Sequence, residues 1–233
     1  MKPLRILQCN TDNLRHGWKY LENLLQTSDI AILQRYPKDM NPELCDSMES
    51  GRAVMANTMP PVGKLAVAIA RRKGVTPFIG AEEIKLPSFQ HVIAEGNDWL
   101  GCVALRVKHN DINIISFLPC YPTVGEFPVT DDERLKDIEF ILNLYKDEPT
   151  IIAGDFHVDE KCKKTNELLK KYDFTSYLDK HKTFTHPSGE LINLDKLVSN
   201  INMKVNNIKT HVKKFDGDIK QGHHAITYEI EIN

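Results

Sequence analysis

The stretch IIAGDFHVD, Ile151 to Asp159, carries the first decision about the fold. A near-continuous apolar run enters Gly154 and then Asp155. A short apolar run rich in β-branched side chains and closed by glycine reads as a buried strand. A carboxylate at the mouth of such a strand is costly unless it is paired or binds a metal. His157, two residues on, is a candidate for the same neighbourhood.

Working outward from that strand, Thr130 and Glu133 form a capping box for a helix carrying Leu135, Ile138, Leu142 and Tyr145. A lysine-rich helix is expected after the strand, from about Cys162 to Tyr172. Toward the N-terminus, LRILQC (Leu4 to Cys9) and IAILQ (Ile30 to Gln34) read as two more buried strands. Between them His16 to Gln26 places Trp18, Leu21, Leu24 and Leu25 at helical spacing. Asn41-Pro42 reads as a helix start. LAVAIA (Leu65 to Ala70), the region around Ile84, HVIAE (His91 to Glu95), CVALRV (Cys102 to Val107) and INIISF (Ile112 to Phe117) follow in quick succession. Turn residues between these short strands predict antiparallel pairing. LDKLVS (Leu194 to Ser199), Val205 to Thr210 and AITYEIEI (Ala225 to Ile232) close the chain in β structure. Two sheets packed face to face with helices outside satisfy this order, giving an α/β, four-layer α-β-β-α sandwich of mixed sheets. No repeat, linker or low-complexity stretch interrupts residues 1–233, so one domain is expected.

The bulk numbers are those of an ordinary globular protein. The 233 residues are 41% hydrophobic and 27% charged, with a net charge of −2 that does not advertise nucleic-acid binding. Local basic clusters do occur: Arg71, Arg72 and Lys73; Lys161, Lys163, Lys164, Lys170 and Lys171; and Lys204, Lys209, Lys213 and Lys214. Such clusters are usually solvated faces and matter only where the fold gathers them on one side. The five cysteines (Cys9, Cys45, Cys102, Cys120, Cys162) are scattered, with no C-x-x-C. That usage predicts reduced thiols in a cytosolic compartment, including a host cytosol if the gene is viral. No stretch approaches the ~18 apolar residues of a membrane span, and MKPLRILQCN carries no secretory signal pattern.

Polar residues recur at the strand ends. Asn10 and Asp12 follow the first strand, and Gln34 and Arg35 the second. Asp155 and His157 follow the third buried strand, Asp195 lies in a late strand, and His223 and His224 open the last. Each alone is an unremarkable turn or cap residue; the ordered set is harder to dismiss.

Across nearly its whole length the chain resembles the endonuclease/exonuclease/phosphatase superfamily. The nearest likeness is to AP-endonuclease-type domains, including those of non-LTR retrotransposons. The resemblance rests on LRILQCNTDNL, DIAILQRYP, IISFLPCYP, IIAGDFHVD, TFTHPSGELINLDKLVSN and QGHHAITYEI, in that order. It implies a deoxyribonuclease-I-like sandwich, hydrolysis of phosphodiesters in DNA or RNA, and a divalent metal, Mg²⁺ or Mn²⁺. By the resemblance, Asp155 handles the attacking water, Asp195 and His223 form a carboxylate–histidine pair, and Asn10 and Asp12 lie beside metal and phosphate. Asp12 and Asp155 are then the metal candidates, while Arg35, Asn10, His157 and His224 are candidate substrate contacts. His223 rather than His224 takes the family histidine's place, because Ala225-Ile226-Thr227 then falls in step with the motif.

The motifs also depart from the family. Arg35 stands where the family has its metal-binding Glu, and His157 where it has the Asn of G-D-x-N. Phe117 replaces a Tyr, and Gly222 an Asp. Glu to Arg is a two-unit charge change, and each unit at ~4 Å is worth roughly 4 kcal/mol at an effective dielectric of about 20. A guanidinium there opposes Mg²⁺, and can instead pair with Asp12 or Asp155 or bind phosphate bidentately. His157 can act as a substitute ligand, better suited to Mn²⁺ or Zn²⁺ than to Mg²⁺, or as a phosphate contact. Two function classes follow: a metal-dependent phosphodiesterase with an altered site, or an inactive nuclease fold that needs no metal and grips nucleic acid or a protein partner. A phosphatase of small phosphorylated molecules or lipids ranks third.

Overall fold

The apolar run at Ile151 does form a buried strand. In the computed structural model it is β8 (Thr150–Asp155), buried along its whole length. The structure describes residues 2–11, 18–37, 54–57, 65–72, 74–88, 103–119, 131–158, 162–212 and 222–232. The expected helix start at Asn41-Pro42, the expected strand His91 to Glu95, Thr130 of the capping box and Asp12 lie outside these residues.

Two six-stranded mixed sheets pack face to face. The first has the order β13-β15-β1-β2-β4-β3 and the second β5-β6-β7-β8-β12-β9. The first is built from β1 (Leu4–Asn10), β2 (Ile30–Pro37), β3 (Val54–Asn57), β4 (Leu65–Arg71), β13 (Met203–His211) and β15 (Ala225–Ile232). The second holds β5 (Ile79–Lys85), β6 (Val103–His109), β7 (Ile112–Leu118), β8, β9 (Thr175–Ser176) and β12 (Asp195–Ser199). A small third sheet joins β10 (Phe184–Thr185), β11 (Leu191–Ile192) and β14 (Gly222–His223). The expected meander divides between the sheets: β4 pairs with β2, whereas β5, β6 and β7 form a continuous antiparallel run. Parallel pairing occurs between β1 and β2 and between β7 and β8. Each of those pairs is joined by a segment containing a helix, as a parallel connection requires.

Strand alternation sorts the side chains into layers. Ile6 on β1, Ile30 and Ile32 on β2, Ile151 and Ala153 on β8 and Leu197 on β12 meet in the core between the sheets. Leu7, Cys9, Ala31 and Leu33 face outward onto Leu21 and Leu25 of α1 (Trp18–Thr27). On the other side Ile115, Phe117, Ile152 and Val198 pack against α2 (Asp131–Tyr145) and α3 (Lys163–Lys171). Ile138, Ile141 and Leu142 supply the α2 contact and Leu169 the α3 contact. The four-layer sandwich expected from the sequence is therefore the observed fold.

Polar bridges tie the sheets together toward one edge. Gln8 is fully buried; its Nε2 donates to the carbonyls of Gly154 (3.3 Å) and Lys196 (3.0 Å), and its Oε1 accepts from the Tyr228 hydroxyl (3.1 Å). Gln34 Nε2 donates to Ser116 Oγ at 2.9 Å, and that hydroxyl donates to the Leu33 carbonyl at 3.2 Å. The Gln8 amide, satisfied at both ends, fixes register where apolar packing alone tolerates sliding. Two residues past Gln8, on the same face of β1, stands Asn10.

Candidate active site

The C-terminal ends of β1, β2 and β8, the start of β12 and the strand β14 converge on one edge. Asp155, the last residue of β8, is fully buried. Its register partner on β12 is Asp195, also buried. Two carboxylates opposed across a rung repel unless something cationic or proton-bearing lies between them.

His223 occupies that place. Its Nδ1 lies 3.1 Å from Asp195 Oδ2 and its Nε2 3.2 Å from Asp155 Oδ2. Asn10 Nδ2 donates to Asp155 Oδ2 at 2.9 Å and lies 3.4 Å from His223 Nε2. The other Asp155 oxygen accepts the backbone N–H of His157 at 2.9 Å, with His157 Nδ1 at 3.2 Å. The result is a buried chain Asp195–His223–Asp155, braced by Asn10 on one side and His157 on the other. The structure thus brings together Asn10, Asp155, His157, Asp195 and His223.

Local structure explains the placement. Leu194 and Asp195 direct their backbone N–H groups at Thr183 Oγ1, at 3.3 and 3.1 Å, which fixes the start of β12. Phe184 packs edge-on against the His223 ring, with centroids 4.8 Å apart. Neither Thr183 nor Phe184 stands out as a site residue in sequence, although both lie in the TFTHPSG segment. His224 points elsewhere: it is buried, its Nε2 is 2.8 Å from Thr185 Oγ1, and its N–H donates to the Thr183 carbonyl.

Two departures from the family motif share a backbone signature. Arg35 and His157 both have φ of 52°, in the left-handed region unusual for residues other than glycine. Arg35 sits where the β2–β4 register shifts between Leu33 and Tyr36, and its carbonyl accepts from Thr11 Oγ1 at 2.8 Å. Such conformations cost of order 1–3 kcal/mol and cluster at functional sites.

The electrostatics follow from burial. Loss of water raises the Asp155 pKa from 3.8 to about 6, opposed by the attraction of His223 and by hydrogen bonds from His157 and Asn10, and reinforced by Asp195. Burial also holds His157 well below the ordinary histidine range, with His223, Arg134 and Arg35 adding to the effect. His224 is lowered by burial and by His223. Arg134, in the first turn of α2, is a neighbour that no motif of the sequence marks.

Among the described residues the donor set is short of oxygen ligands for a hard divalent cation. Mg²⁺ needs near-octahedral oxygen ligands. Among the described residues no group of three or more His, Cys, Asp or Glu side chains is arranged to hold a metal ion. Asp155 is engaged by Asn10, His157 and His223.

Several basic residues are tied to carboxylates. Lys164 pairs with Asp132 at 2.9 Å, Lys171 with Glu139 at 2.6 Å, and Arg72 with Asp29. Among the described residues no helix is long and apolar enough to cross a membrane.

No family model matches the chain, and no curated protein matches its sequence. Solved structures do match in shape. An endonuclease/exonuclease/phosphatase from Beutenbergia cavernae DSM 12333 superposes with a TM-score of 0.71 at 12% identity, over 100% of this chain and 72% of that one. The human Nocturnin catalytic domain, solved with a bound sulfate anion, gives 0.65 at 12% identity, over 99% and 94%. A mannosyl-6-phosphatase from Bacteroides thetaiotaomicron VPI-5482 gives 0.62 at 13% identity, over 98% and 100%. The chain has the fold of the endonuclease/exonuclease/phosphatase proteins.

Proposed function

We propose that this chain is a nuclease-like phosphodiesterase that hydrolyses nucleic acid at the edge formed by β1, β8, β12 and β14. The observation that carries the reading is the buried chain of contacts Asp195–His223–Asp155–Asn10. In its imidazolium form His223 donates Nδ1–H to Asp195 and presents Nε2–H toward Asp155 and an incoming phosphate. Asp155 takes the proton of a water molecule as its oxygen bonds to phosphorus. The bond to the leaving oxygen breaks, and that oxygen collects a proton from solvent. Asn10 and His223 hold the carboxylate and phosphate in line, and Asp195 stabilises the imidazolium form of His223. A base with a pKa of about 6 is suited to work near neutrality. The fold's neighbours include an endonuclease/exonuclease/phosphatase and a sugar phosphatase, which agrees with phosphoester chemistry.

The test is cleavage of labelled single- and double-stranded DNA and RNA, in Mg²⁺, Mn²⁺, Zn²⁺ or chelator, beside Asp155→Ala. Cutting abolished by the substitution is expected. A second reading has one observation in its favour: Arg35 stands at the strand end where the resemblance places a metal-binding carboxylate. On that reading the site grips phosphate without cutting, and the same gels show shifted, uncut substrate.

A further inference from the structure

Arg134 is only 7% exposed, yet its Nε and Nη1 have no hydrogen-bond partner among the described residues. Its Nη2 is held by Asp131, three residues earlier. A buried guanidinium with unsatisfied N–H groups is costly unless an anion arrives to take them. Topology says where that anion would come from. Helix α2 connects the parallel strands β7 and β8, so its first turn begins at the edge where those strands end. Phe156 and Val158, which flank His157, pack in the same apolar cluster as Ile138 of α2. The charges around Arg134 are accounted for: Asp131 holds Arg134, Asp132 pairs with Lys164, and Glu133 also has a partner. Arg35 reaches the same edge from the opposite sheet, on the backbone irregularity of β2.

We propose that Arg35 and Arg134, brought from different layers to the edge around His157, form a fixed cationic clamp for the substrate phosphate in place of a divalent metal. Burial first, and then the charges of His223, Arg134 and Arg35, hold His157 low, a direction that agrees with this placement. A guanidinium presents paired N–H donors that match the oxygens of a phosphoryl group, and it keeps its charge at any working pH. It also cannot be removed by a chelator. The clamp rests on the reading of this edge as a phosphoester site, but it concerns binding, and cleavage can fail without it.

The experiment is calorimetric titration of the full chain with inorganic phosphate, in chelator and again with Mg²⁺. Binding in chelator is expected, with no more than a twofold change on adding Mg²⁺. Arg35→Ala and Arg134→Ala should each weaken it by about tenfold or more, the scale of a lost charge-assisted hydrogen bond. Arg134→Lys should not restore it, because a point charge lacks the planar fork. Should Arg134→Ala fail to fold, Asp131→Asn frees the third arm of Arg134 and should bind phosphate at least as tightly as the wild type. Phosphate binding only with added metal, unchanged binding in both alanine variants, or weaker binding in Asp131→Asn would each overturn the clamp. Chelator-resistant binding without any cleavage would leave the clamp standing and remove the hydrolase reading.

Discussion

Asp155 and Asp195 face each other across one rung of β8 and β12, and His223 lies within hydrogen-bonding distance of both. This places a titratable ring between two buried carboxylates, where its tautomer and charge are set by the two acids. In the proposed chemistry the carboxylate behind the ring is therefore a positioning residue, and Asp155 is the group assigned to the attacking water.

Asp195→Asn keeps the shape of the pair but removes the charge that holds Nδ1–H. The turnover number should fall by about 10²-fold or more, the scale for a mispositioned acid–base group. KM should change far less than kcat, because Asp195 lies behind His223 and not against substrate. Steady-state cleavage kinetics check this, and an unchanged kcat contradicts the assigned role.

The pKa of Asp155 gives activity and stability opposite trends. As a base it works ionised, so activity should rise with pH through about 6, well above the ordinary 3.8. For stability the folded protein holds the proton to higher pH than the unfolded chain does. The raised pKa thus contributes stability that is complete below 3.8 and lost as pH rises through about 6. Relative to Asp155→Asn, the wild type should lose melting temperature across that window while gaining activity. A wild type already at full activity by about pH 5, as an Asp with the ordinary pKa would allow, contradicts the burial argument.

Gly154 precedes Asp155 and is the register partner of Phe117 on β7. A Cβ there would drive into the Phe117 carbonyl, with Phe117 backbone atoms on the β7 side leaving it no room. Gly154→Ala should cost about 1–3 kcal/mol through overpacking, and more if β8 cannot shift. Denaturant unfolding measures it. A loss below about 0.5 kcal/mol would show that the strands have more freedom than the packing implies.

Gln8 joins β1 to the backbone of β8 and β12 and accepts the Tyr228 hydroxyl. Gln8→Leu strands that hydroxyl in the core and should cost about 1–3 kcal/mol. Because Asn10 lies on the same face of β1, the substitution should also lower activity by loosening its hold on Asp155. Equal activity and stability in the variant would exclude this coupling.

The parts legible in sequence were those with strong local signals. TIIAGD reads as a buried strand because its apolar run continues through both faces, and β8 is buried throughout. The α2 face is legible because Leu135, Ile138, Leu142 and Tyr145 repeat at helical spacing, and all four are buried. The two-residue strands β9, β10, β11 and β14 leave no periodic signal, and their pairing is dictated by partners far along the chain. Thr183 illustrates the cost: a hydroxyl that fixes Asp195 lies eleven and twelve residues from the groups it binds. The left-handed backbone at Arg35 and His157 is equally hidden, because neither residue type requires it. Arg134 looks like an ordinary surface arginine of an acidic first turn, and only the crossover from β7 to β8 carries it to the site edge. The basic clusters read correctly in part as solvated faces, since Lys164 and Lys171 find carboxylates on the neighbouring helix.

The central claim is that the buried contacts around Asp155 hydrolyse phosphodiesters. The most direct measurement is cleavage of labelled DNA and RNA by the wild type and Asp155→Ala, side by side, in chelator and with each of Mg²⁺, Mn²⁺ and Zn²⁺. Cutting by the wild type is expected, with a loss of at least about 10²-fold in the variant. Equal cutting by both proteins, or shifted but uncut substrate with the wild type under every condition, would contradict it.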